Sequence, residues 1–256
     1  MQNRLEPPEG TSPAAAFGRP TDDSRNRGER DWVTSEELLG PLNELEQKFA
    51  PSRLFISGRM NLPLAHPRVA IVGTRTPSRE GLKSAQGISE FLAQQGVAIV
   101  SGLARGVDTA AHTTAIHAGG KTIAVLGTPL SKTYPPENSS LQELIMSQYL
   151  AVTQFGEGHT IRPRNFLLRN RTMALIADAS VIVESTEGGG ALNQGWETLR
   201  LGRPLFIQRR LFDKPGLEWP RKMADYGAVE FKEPADILES VPSAGFGLAV
   251  TAFDQT

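Results

Sequence analysis

The chain contains no cysteine, which excludes a disulfide framework and any metal site built on thiolates. It also has no apolar run of the roughly 18 to 20 residues that a membrane helix needs, and no apolar secretion segment near its N-terminus. The four histidines, His66, His112, His117 and His159, do not pair with acidic residues at a zinc-like spacing. We therefore expect a cytoplasmic protein with no metal, no cofactor and no membrane contact.

Two common nucleotide-binding motifs are also missing. Residues 73–78 form the turn after the first core strand and read Gly-Thr-Arg-Thr-Pro-Ser, which is not G-x-G-x-x-G. No acidic residue stands at the end of the second core strand to bind a ribose, and no G-x-x-x-x-G-K-[ST] loop occurs. The sequence thus disfavours NAD binding in its usual mode and ATP hydrolysis through a phosphate loop.

The charge balance gives no global attraction to nucleic acid, because 27 lysines and arginines face 28 acidic residues in 256. Binding to DNA would therefore require local clusters of arginine. A hydrophobic content of 39% is enough for one soluble domain with a buried core. We expect a disordered tail over 1–31, a helix and edge-strand extension over 32–66, a core domain over 67–241 and a C-terminal tail over 242–256.

Apolar runs alternate with amphipathic segments from Arg68 onward, and this alternation predicts an α/β fold with a doubly wound, mostly parallel sheet. The predicted strands are Val69 to Val72, Val97 to Val100, Thr122 to Leu126, Ala151 to Thr153, Val181 to Glu184 and Leu205 to Gln208. The predicted helices are Glu80 to Gln95, Thr109 to Ala118, Ser140 to Gln148, Leu167 to Ala177, Ala191 to Leu201, Pro220 to Tyr226 and Ala235 to Ser240. In the extension we predict one helix within Trp32 to Phe49 and an edge strand over Ser52 to Gly58.

Ligands in such sheets bind beyond the carboxyl ends of the strands, where two turns carry arginine. After the second strand, Ser101 leads into a turn with Gly102, Arg105 and Gly106, and Asp108 or Thr109 can cap the next helix. Its glycines would let backbone amides approach an anion, and Arg105 adds positive charge. The alternative is the generic glycine turn of any parallel α/β protein.

The first turn supplies Gly73, Thr74 and Arg75, whose hydroxyl, guanidinium and following helix N-terminus suit a phosphodiester. The alternative there is a solvated arginine on an ordinary turn. Residues 161–171 hold four arginines and no acidic residue, with Phe166 between Arg164 and Arg169. Arginines that hold phosphates beside a ring that stacks on a base are typical of single-strand binding, although Phe166 could instead be a core residue.

Two further features have weaker interpretations. Gly188 to Gly190 form a turn that tolerates an anion, and with Glu197 they loosely match the P-G-G-x-G-T-x-x-E turn of phosphoribohydrolases, but Glu197 falls two residues late. His112 follows Asp108 by four residues on one helix face, and we interpret it as a core histidine.

Several segments resemble the DNA-processing protein A (DprA/Smf) family. In chain order they are Val69 to Arg75, Ser101 to Asp108, Arg169 to Arg171 and Gly202 to Pro204. The resemblance covers about Pro51 to Ser240 and implies an extended Rossmann-like domain, without the winged-helix domain, that binds single-stranded DNA in a basic pocket. It further implies that the protein helps to load a RecA-type recombinase during natural transformation.

The chain departs from the family pattern in four places. Thr74 replaces a serine, Leu167 replaces a proline, Gly189 to Gln194 replace S-G-S-L-I-T, and Ile207 to Arg210 replace the segment with V-P-G. The first two changes are mild, whereas the last two leave the ligand contacts at that edge open.

We therefore predict a non-enzymatic protein that binds single-stranded DNA and acts in DNA uptake, recombination or processing. A RecA-type recombinase and a second copy of the chain, as a homodimer, are the expected protein partners. The predicted DNA-binding residues are Gly73, Thr74, Arg75, Ser101, Gly102, Arg105, Gly106, Arg164, Phe166, Arg169 and Asn170. The alternative is a nucleotide-binding sensor or a phosphoribohydrolase-like enzyme of the related nucleotide-binding group.

Overall fold

A computed structural model of the chain describes residues 31–241. Apart from Asp31, the two tails predicted over 1–31 and 242–256 lie outside the described residues. Their disorder, and the domain boundaries drawn from it, stay predictions.

The described residues form one nine-stranded sheet in the order β1-β2-β6-β5-β4-β3-β7-β8-β9. The strands are β1 (Trp32–Val33), β2 (Leu54–Gly58), β3 (Arg68–Gly73), β4 (Ala98–Ser101), β5 (Thr122–Leu126), β6 (Leu150–Thr153), β7 (Ala179–Glu184), β8 (Leu205–Gln208) and β9 (Val229–Phe231). Every neighbouring pair from β6 to β9 in this order is parallel, whereas β2 is antiparallel to β1 and β6. The prediction of a doubly wound, mostly parallel sheet is confirmed.

Helices cover both faces of this sheet. They are α1 (Ser35–Leu39), α2 (Glu44–Phe49), α3 (Arg79–Gln94), α4 (Val107–His117), α5 (Ser139–Gln148), α6 (Pro163–Ile176), α7 (Gly190–Arg200), α8 (Trp219–Ala224) and α9 (Ala235–Leu238). Short 3-10 turns span Pro136–Asn138 and Arg209–Leu211.

Strand β3 shows how the core is divided. Its residues Val69 and Ile71 pack on the face that carries α3 and α4, and Ala70 and Val72 pack on the face that carries α6 and α7. Burial on both sides explains why the strand is a continuous apolar run instead of an alternating one.

The N-terminal extension differs from its prediction in two respects. The single helix expected within Trp32 to Phe49 is wrong: a two-residue strand and two short helices occupy the segment. Gly40 has φ 88° and ends α1, and Thr34 and Asn43 each begin a helix with a capping box. The predicted edge strand, β2, pairs on both sides, because β1 covers its outer side at Leu54 and Phe55.

The strand order places a switch point beside β3. The chain proceeds from β3 through β4, β5 and β6 toward one side, and β7, β8 and β9 extend the sheet on the other. Because the connections after β3 and β7 leave in opposite directions, a crevice forms at the carboxyl ends of these two strands. The candidate site lies in this crevice.

Candidate nucleic-acid interface

A cavity of about 690 Å³ opens at the carboxyl edge of the sheet. The turns after β3 and β7, the loop after β5 and the first half of α6 form most of its wall. The lining residues are Val72, Gly73, Thr74, Arg75, Ala104, Asp108, Tyr134, Ile161, Arg162, Pro163, Phe166, Leu167, Arg169, Asn170, Met173, Ser185, Thr186, Gly189, Gly190, Ala191 and Gln194. We refer to this space as the rim cavity.

The turn after β3 brings Arg75 to the mouth of the rim cavity. The turn is fixed because Thr74 N donates to Glu184 O at 2.7 Å, while Thr74 Oγ1 accepts from Thr76 N at 3.3 Å. The Arg75 side chain is exposed, and its Cζ lies 6.0 Å from the centre of the Phe166 ring. Within residues 31–241, no ion pair involves Arg75. Its guanidinium is therefore available to a phosphate.

The turn after β4 does not present free amides to an anion, as the sequence suggested. The Asp108 carboxylate accepts hydrogen bonds from Gly102 N at 3.2 Å and from Ala104 N at 3.3 Å. Helix α4 already begins at Val107, and no side chain caps it, so the predicted cap by Asp108 or Thr109 is wrong. The buried Ser101 hydroxyl donates to Ile71 O at 2.6 Å. The carboxylate of the chain itself occupies the position that we expected an anion to take.

The glycines of this turn serve internal packing. A Cβ on Gly102 would lie 1.9 Å from Nη1 of Arg169. Gly106 has φ +77°, and a Cβ there would lie 2.6 Å from Thr74 O in the neighbouring turn. Both positions thus require glycine so that two turns and one guanidinium can pack closely.

Arg169 forms the floor of the rim cavity. Its side chain is 6% exposed and donates to Gly102 O, to Val125 O at 3.0 Å and, through Nε, to Asn170 Oδ1 at 3.0 Å. Burial lowers the pKa of this guanidinium and raises the pKa of the Asp108 carboxyl, and each charge partly offsets the effect on the other. Arg169, a predicted DNA-binding residue, lines the rim cavity, but its guanidinium is bound by backbone carbonyls and joins α6 to the ends of β4 and β5.

Asn170 connects two helices of the wall. Its Nδ2 donates to Gly190 O at 3.3 Å and to Asn193 Oδ1 at 3.2 Å, which ties α6 to the start of α7. Asn170 is buried but still lines the cavity.

Phe166 is half-buried and lies against the backbone of Gly127, where a Cβ would come within 2.7 Å of its ring. Its ring centre is 5.2 Å from that of Tyr134. The ring is therefore a wall of the cavity and not a core residue. Whether it contacts DNA stays a prediction.

The predicted DNA-binding residues divide into two groups. Gly73, Thr74, Arg75, Phe166, Arg169 and Asn170 line the rim cavity. The other five are Ser101, Gly102, Arg105, Gly106 and Arg164 and are not among the lining residues. Arg164 is exposed, whereas Arg105 and Gly106 line a separate groove of about 470 Å³ between α3 and α4. Arg105 there forms an ion pair with Glu137.

The predicted DNA-binding residues omit several that line the cavity, among them Tyr134, Arg162, Ser185 and Thr186. Arg162 was in the arginine-rich segment and could have been chosen on that ground. Ser185 and Thr186 follow β7 directly, so their position after a buried strand was a usable signal. Tyr134 lies in a loop without periodicity, and nothing local distinguishes it.

Of the weaker features, Gly189 and Gly190 line the rim cavity, whereas His112 and Glu197 lie outside it. Nδ1 of the buried His112 lies 2.7 Å from Thr122 Oγ1, and burial lowers its pKa to about 3, as expected for a neutral core histidine. The Glu197 carboxylate is paired with Arg171 and Arg200 and does not line the rim cavity. Residues 31–241 contain no group of three or more side chains suited to holding a metal ion. In the same range, no helix is long and apolar enough to cross a bilayer.

Comparison with known proteins places these features in context. The family model described as DNA recombination-mediator protein A matches residues 33–242. The DNA processing protein DprA of Streptococcus pneumoniae is 39% identical over 157 residues, which are 61% of this chain and 55% of that protein. The chain thus spans little more than half the length of this curated relative.

Two solved structures show a similar fold. The DNA processing protein A from S. pneumoniae has a TM-score of 0.68 and 28% identity, covering 86% of this chain and 77% of that one. The protein from Helicobacter pylori, whose structure was described for its single-stranded DNA binding mode, also has a TM-score of 0.68. Its sequence is 23% identical, and the alignment covers 81% of this chain and 97% of that one. At this identity the similarity supports only a shared fold.

Proposed function

Since the chain belongs to the DNA recombination-mediator protein A family, we propose that it binds single-stranded DNA in the rim cavity without catalysing a reaction on it. One observation carries the proposal: the exposed arginines Arg75 and Arg162 and the half-buried ring of Phe166 surround a single cavity at the switch point of the sheet. Guanidinium groups bind phosphates, and an aromatic face stacks on any base. Such a site recognises the strand with little regard to sequence.

The cavity receives part of a strand. Its volume of about 690 Å³ is in the range of ~300–1,000 Å³ that is common for ligand sites. The remaining nucleotides therefore lie on the surface around the mouth, where Arg75 and Arg162 are located.

The floor of the cavity argues for binding without catalysis. Asp108 is the single acidic residue among the described lining residues, and its carboxylate accepts two backbone hydrogen bonds beneath the surface. Its floor neighbour Arg169 donates its own hydrogen bonds to backbone carbonyls. Both side chains already form hydrogen bonds with the backbone, so they are poorly suited to act as a general acid or base. Glu197, the candidate of the phosphoribohydrolase interpretation, is held outside the cavity by two arginines.

The protein partners follow from the family description. A recombination mediator acts on a recombinase, and we propose that the partner is of the RecA type. Homodimerisation and a cytoplasmic location are further proposals that rest on the family resemblance and on composition.

The test is a titration of a fluorescein-labelled oligothymidylate of about 12 nucleotides, within the ~4–16 that single-strand sites cover, followed by anisotropy. We expect Arg75→Ala to weaken binding and Arg53→Ala to leave it unchanged, because Arg53 is an exposed arginine at the β1–β2 edge, beside Trp32 and outside both grooves.

Two other results would redirect the proposal. Equal affinities of wild type and Arg75→Ala would move the DNA away from the rim cavity. Release of free base from nucleoside monophosphates, or displacement of the oligonucleotide by micromolar mononucleotide, would favour the hydrolase or the nucleotide sensor.

A further inference from the structure

Tyr134 is a second aromatic side chain at the mouth of the rim cavity. Tyr134 is 46% exposed, although its side chain is a large ring with apolar faces. Its ring centre lies 5.2 Å from that of Phe166, with the two planes tilted by 49°. The rings come from different elements, since Tyr134 is in the loop after β5 and Phe166 is on α6. No pattern in the sequence distinguishes Tyr134.

The loop that carries Tyr134 is pinned on both sides of the ring. Thr128 Oγ1 donates to Lys132 O at 2.7 Å. The buried Asn138 amide donates to Leu103 O and to Thr109 Oγ1, both at 2.9 Å, and so attaches the loop to the turn after β4. A ring held in this way loses little conformational freedom when a ligand stacks on it. The exposed ring is therefore carried by a loop that hydrogen bonds hold in place.

Arg105 lies against the segment that carries Tyr134, since its ion-pair partner Glu137 follows Tyr134 by three residues. The Arg105 side chain is 61% exposed and pairs with Glu137, which is also on the surface. An exposed ion pair of this kind contributes little to stability, so Arg105 can exchange its carboxylate partner for a phosphate at small cost.

Contacts thus link Arg75 to Phe166, Phe166 to Tyr134, and the segment of Tyr134, through Glu137, to Arg105. We propose that the single strand leaves the rim cavity over Tyr134, whose ring stacks on the base next to the one on Phe166, and that Arg105 binds a phosphate of that step. This inference rests on the proposed function, because it extends the same binding site. It also gives a role to Arg105, which does not line the rim cavity.

The ring geometry favours one base stacked on each ring over a single base inserted between the two rings. At 5.2 Å the two rings are already in contact, so no base can enter between them without moving one. A stacked base must instead use a face that is turned away from the other ring. Because the planes are tilted by 49°, the two bases must be unstacked from each other, which a single strand allows and a duplex resists.

The experiment compares Tyr134→Ala, Tyr134→Phe and Tyr226→Ala in the full chain, with the labelled oligothymidylate. Tyr226 is the matched control, since it is 68% exposed and its ring also lies 5.2 Å from another ring, that of Trp196. We expect Tyr134→Ala to weaken affinity by about 5- to 150-fold, the range for loss of one stacked base. Tyr134→Phe and Tyr226→Ala should bind as the wild type does. The stacking role would be overturned if Tyr134→Ala bound DNA with wild-type affinity. It would also be overturned if Tyr134→Phe lost as much affinity as Tyr134→Ala.

A double-mutant cycle separates stacking from support of Phe166. If Tyr134 stacks on its own base, Tyr134→Ala still weakens binding in the Phe166→Ala background. If Tyr134 only supports Phe166, that additional loss disappears and the inference fails. Arg105→Ala should make the slope of log affinity against log salt shallower by about 0.7, the value for one phosphate on a single strand. An unchanged slope would remove Arg105 from the path.

The outcomes also separate this inference from the proposed function. If Arg75→Ala and Phe166→Ala weaken binding and Tyr134→Ala does not, only the path over Tyr134 is wrong. If all three bind DNA as the wild type does, the rim cavity is not the DNA site. Melting temperatures of each variant identify any loss of fold, and Tyr134→Phe remains informative if Tyr134→Ala does not fold.

Discussion

Replacing Arg169 by alanine tests whether this residue supports the floor of the rim cavity or binds a phosphate of the DNA. Arg169 is buried and donates hydrogen bonds to two backbone carbonyls and to Asn170, and it partly compensates the buried charge of Asp108. The substitution would leave these acceptors without their donor and the carboxylate without its opposite charge. We expect a large loss of stability before any effect on DNA binding is considered.

The magnitude follows from the burial of both groups. Removing one member of a buried charge pair costs about 3–5 kcal/mol. For a domain of this size each kcal/mol lowers the melting temperature by roughly 2–4 °C, so we expect a decrease of about 6–20 °C. Arg164→Ala, an exposed arginine on the same helix, should change the melting temperature by less than about 2 °C, because surface substitutions have effects within about 0.5 kcal/mol.

The pH dependence gives an independent check. Burial raises the pKa of folded Asp108 above its value in the unfolded chain, so the folded state holds this proton more readily. The ionised carboxylate therefore opposes stability above the unfolded value of about 3.9, and this penalty disappears as the pH falls through the folded pKa. Without Arg169 the folded pKa rises further. The stability difference between wild type and Arg169→Ala should thus be smaller at pH 4.5 than at pH 7.5.

Urea denaturation at both pH values, together with the salt dependence of DNA affinity, measures these effects. Adding Asp108→Asn to Arg169→Ala should recover at least about 1 kcal/mol, because the amide oxygen can still accept from Gly102 and Ala104 while the charge is gone. A variant that melts as the wild type does, and whose salt slope decreases by one phosphate, would show that Arg169 is a phosphate contact and that the reasoning is wrong.

Three further predictions concern the walls of the cavity and the core. Phe166→Ala should weaken single-strand affinity by about 1–3 kcal/mol with little dependence on sequence, and equal affinity by anisotropy would exclude stacking. Gly106→Ala should lower the free energy of unfolding by at least about 2 kcal/mol, since φ is +77° and the added Cβ would meet Thr74 O, whereas Gly190→Ala, which has open space, should not. His112, with its pKa lowered to about 3, should keep its neutral NMR shifts from pH 8 down to pH 4.5. Because this pKa lies below the unfolded value of 6.5, His112 costs stability as the pH falls below that value, by up to about 1.4 kcal/mol per pH unit.

The sequence predicts the central sheet well because buried parallel strands are continuous apolar runs. The bounds of β5 and β8, Thr122–Leu126 and Leu205–Gln208, agree with the prediction residue for residue. The short elements at the sheet edges, β1 and β9, have too few residues to show a period. The extension was misjudged because the apolar spacing of a helix continues across Gly40, although the backbone there cannot remain helical.

For the site, the turn after a strand end indicated Arg75, and the arginine-rich segment 161–171 indicated Phe166; both line the rim cavity. Residue types alone do not predict which arginine is buried. The difference between Arg105 and Arg169 depends on Gly102 O and Val125 O, which accept from the Arg169 guanidinium, and on the buried charge of Asp108, which acts on it. Such contacts between distant segments have no local signal.

The most direct measurement is photocrosslinking of the full chain to a single-stranded oligonucleotide that carries 5-iodouracil, followed by mass spectrometry of the crosslinked peptides. Iodouracil reacts with aromatic side chains on which it stacks, and the rim cavity offers Phe166 with Tyr134 at its mouth. We predict that the crosslinks fall on the start of α6 and on the loop after β5, and that Arg75→Ala reduces their yield. Crosslinks confined to the β1–β2 edge or to the β9 edge, with none at the rim cavity, would contradict the proposed DNA site.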